Sequence, residues 1–345
     1  MKIIASVLIG LLRLGSSSFI WPSPVIEKVQ TDKLNLIISF PRDENVFFQT
    51  TPFIALDNEK NIYAVDNRQH VIIKLDSSGR LVSRIGRQGQ GPGDLQWPAW
   101  IEVLNGAIFV ADNNSISIFN LEGHFQHRLR RFHKLISMAV SNDRVFLAET
   151  GEDKIINVYN YEGKKLFSFG NKYSVDYAIY KGWPTEAIDG WINHGILVCS
   201  GSKIYFITSL FGDIFAYDLK GNLIASKTME DNKFIERNRS LYFKKGIINK
   251  GDGAFFHNKL LEDACYYQGK IFVLLSSAGG NSCGEDIWEI DERTLQIIKT
   301  YVIFNKNQRD KNWPRSLVVT SNQAGENLFY VSLYDGDDFV INVYK

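Results

Sequence analysis

Cysteine, net charge, long apolar runs and helical periodicity are all scarce in this chain, and each scarcity excludes something. Only three cysteines occur, Cys199, Cys265 and Cys283, and none stands in a CxxC pair. A thiolate zinc site needs such pairs, so it is set aside. Two of the three could join in an oxidising compartment, or all three could stay buried thiols. Lys and Arg (39) almost balance Asp and Glu (38), leaving a formal charge of +1. A protein that binds nucleic acid by neutralising phosphates carries a basic excess, so no nucleic-acid partner is expected. No apolar run approaches the roughly 20 residues that cross a bilayer, so no integral span is expected.

One short apolar run, Ile3 to Leu12, follows Lys2 and precedes Ser16, Ser17 and Ser18. A basic start, a short apolar middle and small residues form the layout of a secretory leader, read over residues 1–22. The expected location is therefore exported, periplasmic or extracellular. The bland alternative for the same run is a buried element at the domain's edge. Residues 23–345 are read as one domain.

What the chain does have is aromatic residues, at 13%, and a repeat. Phe, Tyr and Trp favour pleated, half-buried surfaces. An apolar residue, Asp or Asn, two variable residues and Gly recur at Leu75–Gly79, Phe119–Gly123, Tyr159–Gly163 and Tyr217–Gly221, with a degenerate copy at Ile290–Thr294. Asp or Asn opens a turn and Gly closes it with a positive φ, so each copy reads as a hairpin tip. Upstream of each tip lies a strand such as "NIYAVDN", "AIFVADN" or "RVFLAET", with looser copies at "KIYFITS", "KIFVLLS" and "NLFYVSL". A further strand precedes each across a short polar turn. Six units of roughly 40 residues, each of four antiparallel strands, predict an all-β six-bladed propeller. The sixth unit stops after its third strand, at Phe339–Tyr344, while Lys33–Pro41 ("KLNLIISFP") has no unit of its own. The expectation is that this orphan strand completes the last blade and removes an open edge.

The stretch "GRQGQGPGDLQWP" followed by "AWIEVLNGAIFVADNNSISIFNLEGHF" resembles the NHL-type repeat of six-bladed propellers. The resemblance implies the fold and an exported bacterial setting. It implies no activity.

The same stretch places Gly86, Gly89, Gly91 and Gly93 close together. A phosphate cradle would need a helix after the loop, and "AWIEVL" leads into a strand instead. The glycines are therefore read as a connector between blades, with Pro98 fixing the start of the next inner strand. Pro52, Pro184 and Pro314 occupy the same place, three times in the form Trp-Pro: Trp97-Pro98, Trp183-Pro184 and Trp313-Pro314. These tryptophans either pack between blades or form an aromatic platform for a sugar or peptide.

Antiparallel order puts the turns between strands one and two, and three and four, on one face. All the long segments fall on the other: Gly86–Trp97, Gly170–Asn193, Met229–Glu262, Ser276–Glu285 and Asn305–Pro314. Long loops gathered at one face make a site. The candidate ligand contacts on this connector face are Asp66, Asn67, Arg68, Arg87, Asp94, Trp97, Trp100, Asp112, Asn113, Trp183, Trp191, Arg237 and Arg239. For Asp66 and Asp112 the competing reading is a structural cap. The basic run His124–Lys134 reads as a solvated edge strand or an anion patch.

The inner strands read as "FIALD", "WIEVL", "LISMAV", "ILVCS", "ACYYQ" and "LVVTS". They supply only Asp57, at the short-turn end, and Glu102, near the channel. Glu102 is the one weak catalytic candidate. The reading that results is a non-catalytic binding or scaffold propeller that presents its connector face to a peptide, protein or glycan, with no cofactor. The alternative is a lactonase- or lyase-type propeller with a divalent metal in the channel, its missing ligands supplied by loops.

Overall fold

The computed structural model describes residues 29–130, 134–174, 185–229, 232–236, 259–276, 285–304 and 312–345. The leader, Cys283, Trp183, Arg237 and Arg239 lie outside them.

Two strands, β1 (Gln30–Lys33) and β2 (Leu36–Phe40), precede the blades. Blade one holds β3 (Phe53–Leu56), β4 (Ile62–Asp66), β5 (Val71–Leu75) and β6 (Leu81–Ile85). Blade two holds β7 (Pro98–Leu104), β8 (Ala107–Asp112), β9 (Ser115–Asn120) and β10 (Phe125–Arg130). Blade three is β11 (Leu135–Val140), β12 (Arg144–Glu149), β13 (Lys154–Asn160) and β14 (Lys165–Asn171). A helix, α1 (Thr185–Ile192), leads into blade four: β15 (Gly195–Cys199), β16 (Lys203–Thr208), β17 (Ile214–Asp218) and β18 (Leu223–Lys227). Blade five is β19 (Leu261–Tyr267), β20 (Lys270–Leu275), β21 (Ile287–Asp291) and β22 (Ile297–Val302). Blade six is β23 (Trp313–Ser321), β24 (Asn327–Tyr334) and β25 (Phe339–Tyr344).

Each blade is an antiparallel meander, and β2 pairs antiparallel with β25 to give blade six its fourth strand. The expected closure is therefore present, but the orphan segment divides. Its first residue, Lys33, ends β1, which pairs in parallel with β22 as a fifth strand of blade five. Leu34 makes the break: it is buried among Phe272, Tyr301 and Phe329 between blades five and six. Leu34 N donates to Val302 O at 2.9 Å and Asn35 N to Lys345 O at 2.8 Å, handing the chain from one blade to the next.

There is no single core. Six clusters of described buried residues each bridge two neighbouring blades, with connector residues such as Phe48, Leu95 and Ile235 packed into them. The hairpin tips serve this packing. Asp76 accepts from Ser78 N and Arg80 N, and Gly79 turns at φ +84°. A Cβ on Gly79 would lie 2.1 Å from Phe40, the last residue of β2. At Gly123 the neighbour is Ile85, which ends β6. At Gly79, Gly123 and Gly221 the glycine is thus required twice over, by the turn and by the preceding blade's outermost strand resting against it, whereas at Gly163 the neighbour Leu129 stands back at 3.6 Å and only the positive φ requires it. The degenerate fifth copy has no glycine, and Leu295 takes the positive φ, +54°.

Candidate functional site

The glycine-rich connector is a corner. Asp94 organises it by accepting from Arg87 Nε at 2.9 Å and from Gly91 N at 3.0 Å. The Arg87 hydrogen bond and then the Gly91 amide hold the Asp94 carboxyl below its ordinary range. Leu95 is fully buried beneath the loop, and its amide donates to Arg87 O at 2.7 Å. A nest that binds phosphate aims its amides outward at the anion, whereas here a side chain of the loop itself takes one. A Cβ on Gly89 would sit 2.2 Å from Asp94 Oδ2. Gly89→Ala should therefore break the corner and destabilise the protein by about 2 kcal/mol, measured by urea unfolding. A loss below a few tenths would contradict this account.

The loop's outer side carries a depression of about 300 Å³ lined by His70, Gln88, Gly89, Gln90, Gln96 and Trp97. Trp97 is 63% exposed, with the His70 ring edge-on at 5.8 Å. The other described Trp-Pro tryptophan, Trp313, is 62% exposed and lies 6.0 Å from Tyr334. Neither is packed between blades. Arg87, Arg68 and Asn113 are also exposed, Asn67 is half-buried, and Asn113 donates to Gln96 Oε1 at 3.0 Å.

Asp66 and Asp112 sit at the ends of β4 and β8 as expected, but their carboxylates are occupied. Asp66 accepts from the backbone amides of Gln49, Arg68 and Gln69 and from Gln69 Nε2. Asp112 accepts from Gln96 N at 2.9 Å and Trp97 N at 2.6 Å. Both are buried. Later blades repeat the device from other positions: Asp213 accepts from Met229 N, and Asp286 from Ile303 N and Phe304 N. These acids fasten the connectors to the blades.

Trp191, on α1, is half-buried beside the connector to blade four. In the basic run, Arg128 points back to the corner, with Nε donating to Ser117 Oγ at 3.0 Å and Nη2 to Asp94 O.

The inner strands β3, β7, β11, β15, β19 and β23 enclose a channel of about 230 Å³. Toward the connector end, Trp100 lies against Phe53 (centroids 4.2 Å apart), and the Arg315 guanidinium stands 4.5 Å from the Phe53 ring centre. Deeper in, the lining is apolar apart from a few residues, among them Glu102, Asp263, Ser316, Cys199 and Cys265. Both cysteines are free thiols, and burial raises both. Asp57 stays at the short-turn end, where it caps the β3–β4 turn and accepts from Tyr63 OH at 3.0 Å.

Asp263 is the residue the sequence reading missed. That reading started the fifth inner strand at Ala264, whereas β19 begins at Leu261. A bulge between Leu261 and Asp263 shifts the register. Counting back in twos from the channel-lining Cys265 would have found it.

Burial pushes Glu102 up to about 8, with the Asp263 charge adding to the shift. Asp263 is raised only to about 6. Burial raises it, but Leu317 N, Ser316 Oγ and Ala264 N donate to its carboxylate and favour the charged form. Lys259, just before β19, is lowered to about 8 by burial and then by Arg315.

Among the described residues, no three His, Cys, Asp or Glu side chains group to hold a metal ion. No described helix is long and apolar enough to cross a membrane.

The architecture is shared with solved structures. An exported protein of Bacteroides fragilis NCTC 9343, BF0058, superposes with a TM-score of 0.57 at 12% identity, over 92% of this chain and 98% of that one. A streptogramin B lyase superposes at 0.53 and 13% identity, over 90% and 86%. A catalytically inactive histidine-to-alanine variant of virginiamycin B lyase from Staphylococcus aureus, with quinupristin, superposes at 0.52 and 10%, over 90% and 88%. The shared feature is the six-bladed propeller. At these identities the likeness is one of fold alone. No family model and no curated protein matches the chain.

Proposed function

We propose that this chain is an exported binding propeller that presents its connector face to a glycan, peptide or protein and performs no catalysis there. The observation that carries this reading is Trp97, with 63% of its surface left in water above a depression edged by Gln88, Gln90 and Gln96. An indole exposed that far forgoes the burial that stabilises a fold. Its flat apolar face, set among neutral amides, suits a sugar ring or a peptide side chain. Trp313 offers a second such face. Export is supported by the leader's layout and by the exported neighbour from Bacteroides.

The test is glycan and peptide array screening with the full chain, followed by titration of the best ligand against Trp97→Ala and Trp313→Ala. Each variant should unfold at the parent's temperature. At least one should bind about tenfold or more weakly, in line with an interface aromatic worth 1–2 kcal/mol or more. Full affinity in both variants would sink the rim assignment.

The lyase neighbours favour a second reading, a channel enzyme. The S. aureus lyase is inactive when a histidine is replaced, and the described channel lining here contains no histidine. Both Asp263 oxygens are taken by Ser316 Oγ, Leu317 N and Ala264 N, and no three His, Cys, Asp or Glu side chains group among the described residues, so those residues do not fit a divalent cation.

A further inference from the structure

The channel holds a group that neither the fold nor the rim explains. Glu102 lies midway along β7, is half-buried and lines the cavity. Among the described residues it receives no hydrogen bond and no ion pair. Asp263, in the same cavity, has all its needs met: Ser316 Oγ at 2.7 Å and Leu317 N at 2.9 Å on one oxygen, Ala264 N at 2.9 Å on the other. Two cations stand near the connector end. Lys259 precedes β19, and the Arg315 guanidinium stands over the Phe53 ring. Among the described residues neither forms an ion pair with Glu102. A buried carboxyl without a partner is costly, and an apolar residue would fill the position at no such cost.

We propose that the central channel is a receptor for one primary ammonium group on an alkyl chain, with Glu102 as its principal counter-ion and Asp263 beside it. The ammonium carries three donors, and Glu102 alone offers two free acceptor oxygens. The walls suit an alkyl stem, being Ile54, Ile101, Met138, Val140, Ile196 and Val198. Metal ions fit the same place poorly, because oxygen ligands are few. Binding exchanges a proton: the neutral Glu102 carboxyl releases H⁺ to solvent as the ammonium arrives, and net charge in the channel is unchanged. The other titratable groups facing Glu102 are Asp263, Cys265 and Tyr266 on β19 and Cys199 on β15, with Lys259, Glu262 and Arg315 toward the connector end. The described lining from β3 and β11 contributes no titratable group.

The experiment is isothermal titration of the full chain with n-butylammonium chloride at pH 6 and pH 8, in two buffers of different ionisation enthalpy. Sodium chloride at equal ionic strength and n-butanol serve as controls. Saturable binding should tighten by roughly tenfold per pH unit over that range, as one released proton requires. Neither control should bind. Glu102→Gln keeps the shape of the side chain; it should lose the binding and its pH dependence while remaining folded by circular dichroism. Trp97→Ala should bind the amine normally, which separates this site from the rim. Absence of saturable binding at pH 8, equal binding of n-butanol, or unchanged affinity in Glu102→Gln would each overturn the proposal.

Discussion

Asp66→Ala is expected to cost about 3 kcal/mol of folding stability, seen as a lowered urea midpoint with an unchanged slope. Asp66 is completely buried, and its carboxylate takes Gln49 N at 2.5 Å, Arg68 N at 3.0 Å, Gln69 N at 3.1 Å and Gln69 Nε2 at 2.8 Å. Hydrogen bonds to a charged acceptor contribute about 1.5–3 kcal/mol, and a buried donor left unmatched loses its full desolvation cost. Part of the array lies near water, since Arg68 is exposed, so the losses do not simply add. Asp66→Asn retains one acceptor oxygen and should fall between parent and alanine variant. Asp112→Ala should behave alike and also free the Trp97 amide, so it should weaken any ligand held on Trp97. The experiment separates the two roles that the sequence left open for these acids. A ligand contact would lose affinity with stability intact; a brace loses stability first.

That outcome bears on why the fold was more legible than the site. Strand alternation and the Asp-x-x-Gly tips are local signals, written within five or six residues, and each blade repeats them. The closing strand was visible because Leu36–Phe40 had no partner in its own neighbourhood. Its division at Leu34 was not, because that depends on burial against residues some 240 to 300 positions away. Site residues suffer the same difficulty. An acid after a second strand looks identical whether it faces a ligand or a connector amide, and only the path of the connector decides. Asp263 was hidden by a bulge, and the exposure of Trp97 and Trp313 could not be told from inter-blade packing until the connectors were placed. Trp183, Arg237 and Arg239 remain expectations from sequence.

Glu102 should make the protein less stable as pH rises, and Glu102→Gln should remove that loss. Below about pH 4.5 the residue is protonated in the folded and unfolded chains alike, and it exacts no penalty. From there to about pH 8 the unfolded chain ionises while the folded chain keeps its proton. The folded state then binds more protons, so stability falls with pH, and above about 8 the loss is complete. A shift from 4.5 to about 8 sets a ceiling on the order of 5 kcal/mol, at 1.36 kcal/mol per pH unit. Asp263 works in the same direction between 3.8 and about 6. Lys259, lowered to about 8, works the other way above that pH. Subtracting parent from variant at each pH cancels most of these other contributions. Urea unfolding should therefore give equal stabilities at pH 4 and an advantage of a few kcal/mol for Glu102→Gln at pH 9. Parallel curves across that range would mean that Glu102 ionises freely in the folded protein. Added n-butylammonium at pH 9 should raise the parent's midpoint and leave the variant's where it was, because a ligand stabilises only the state that binds it.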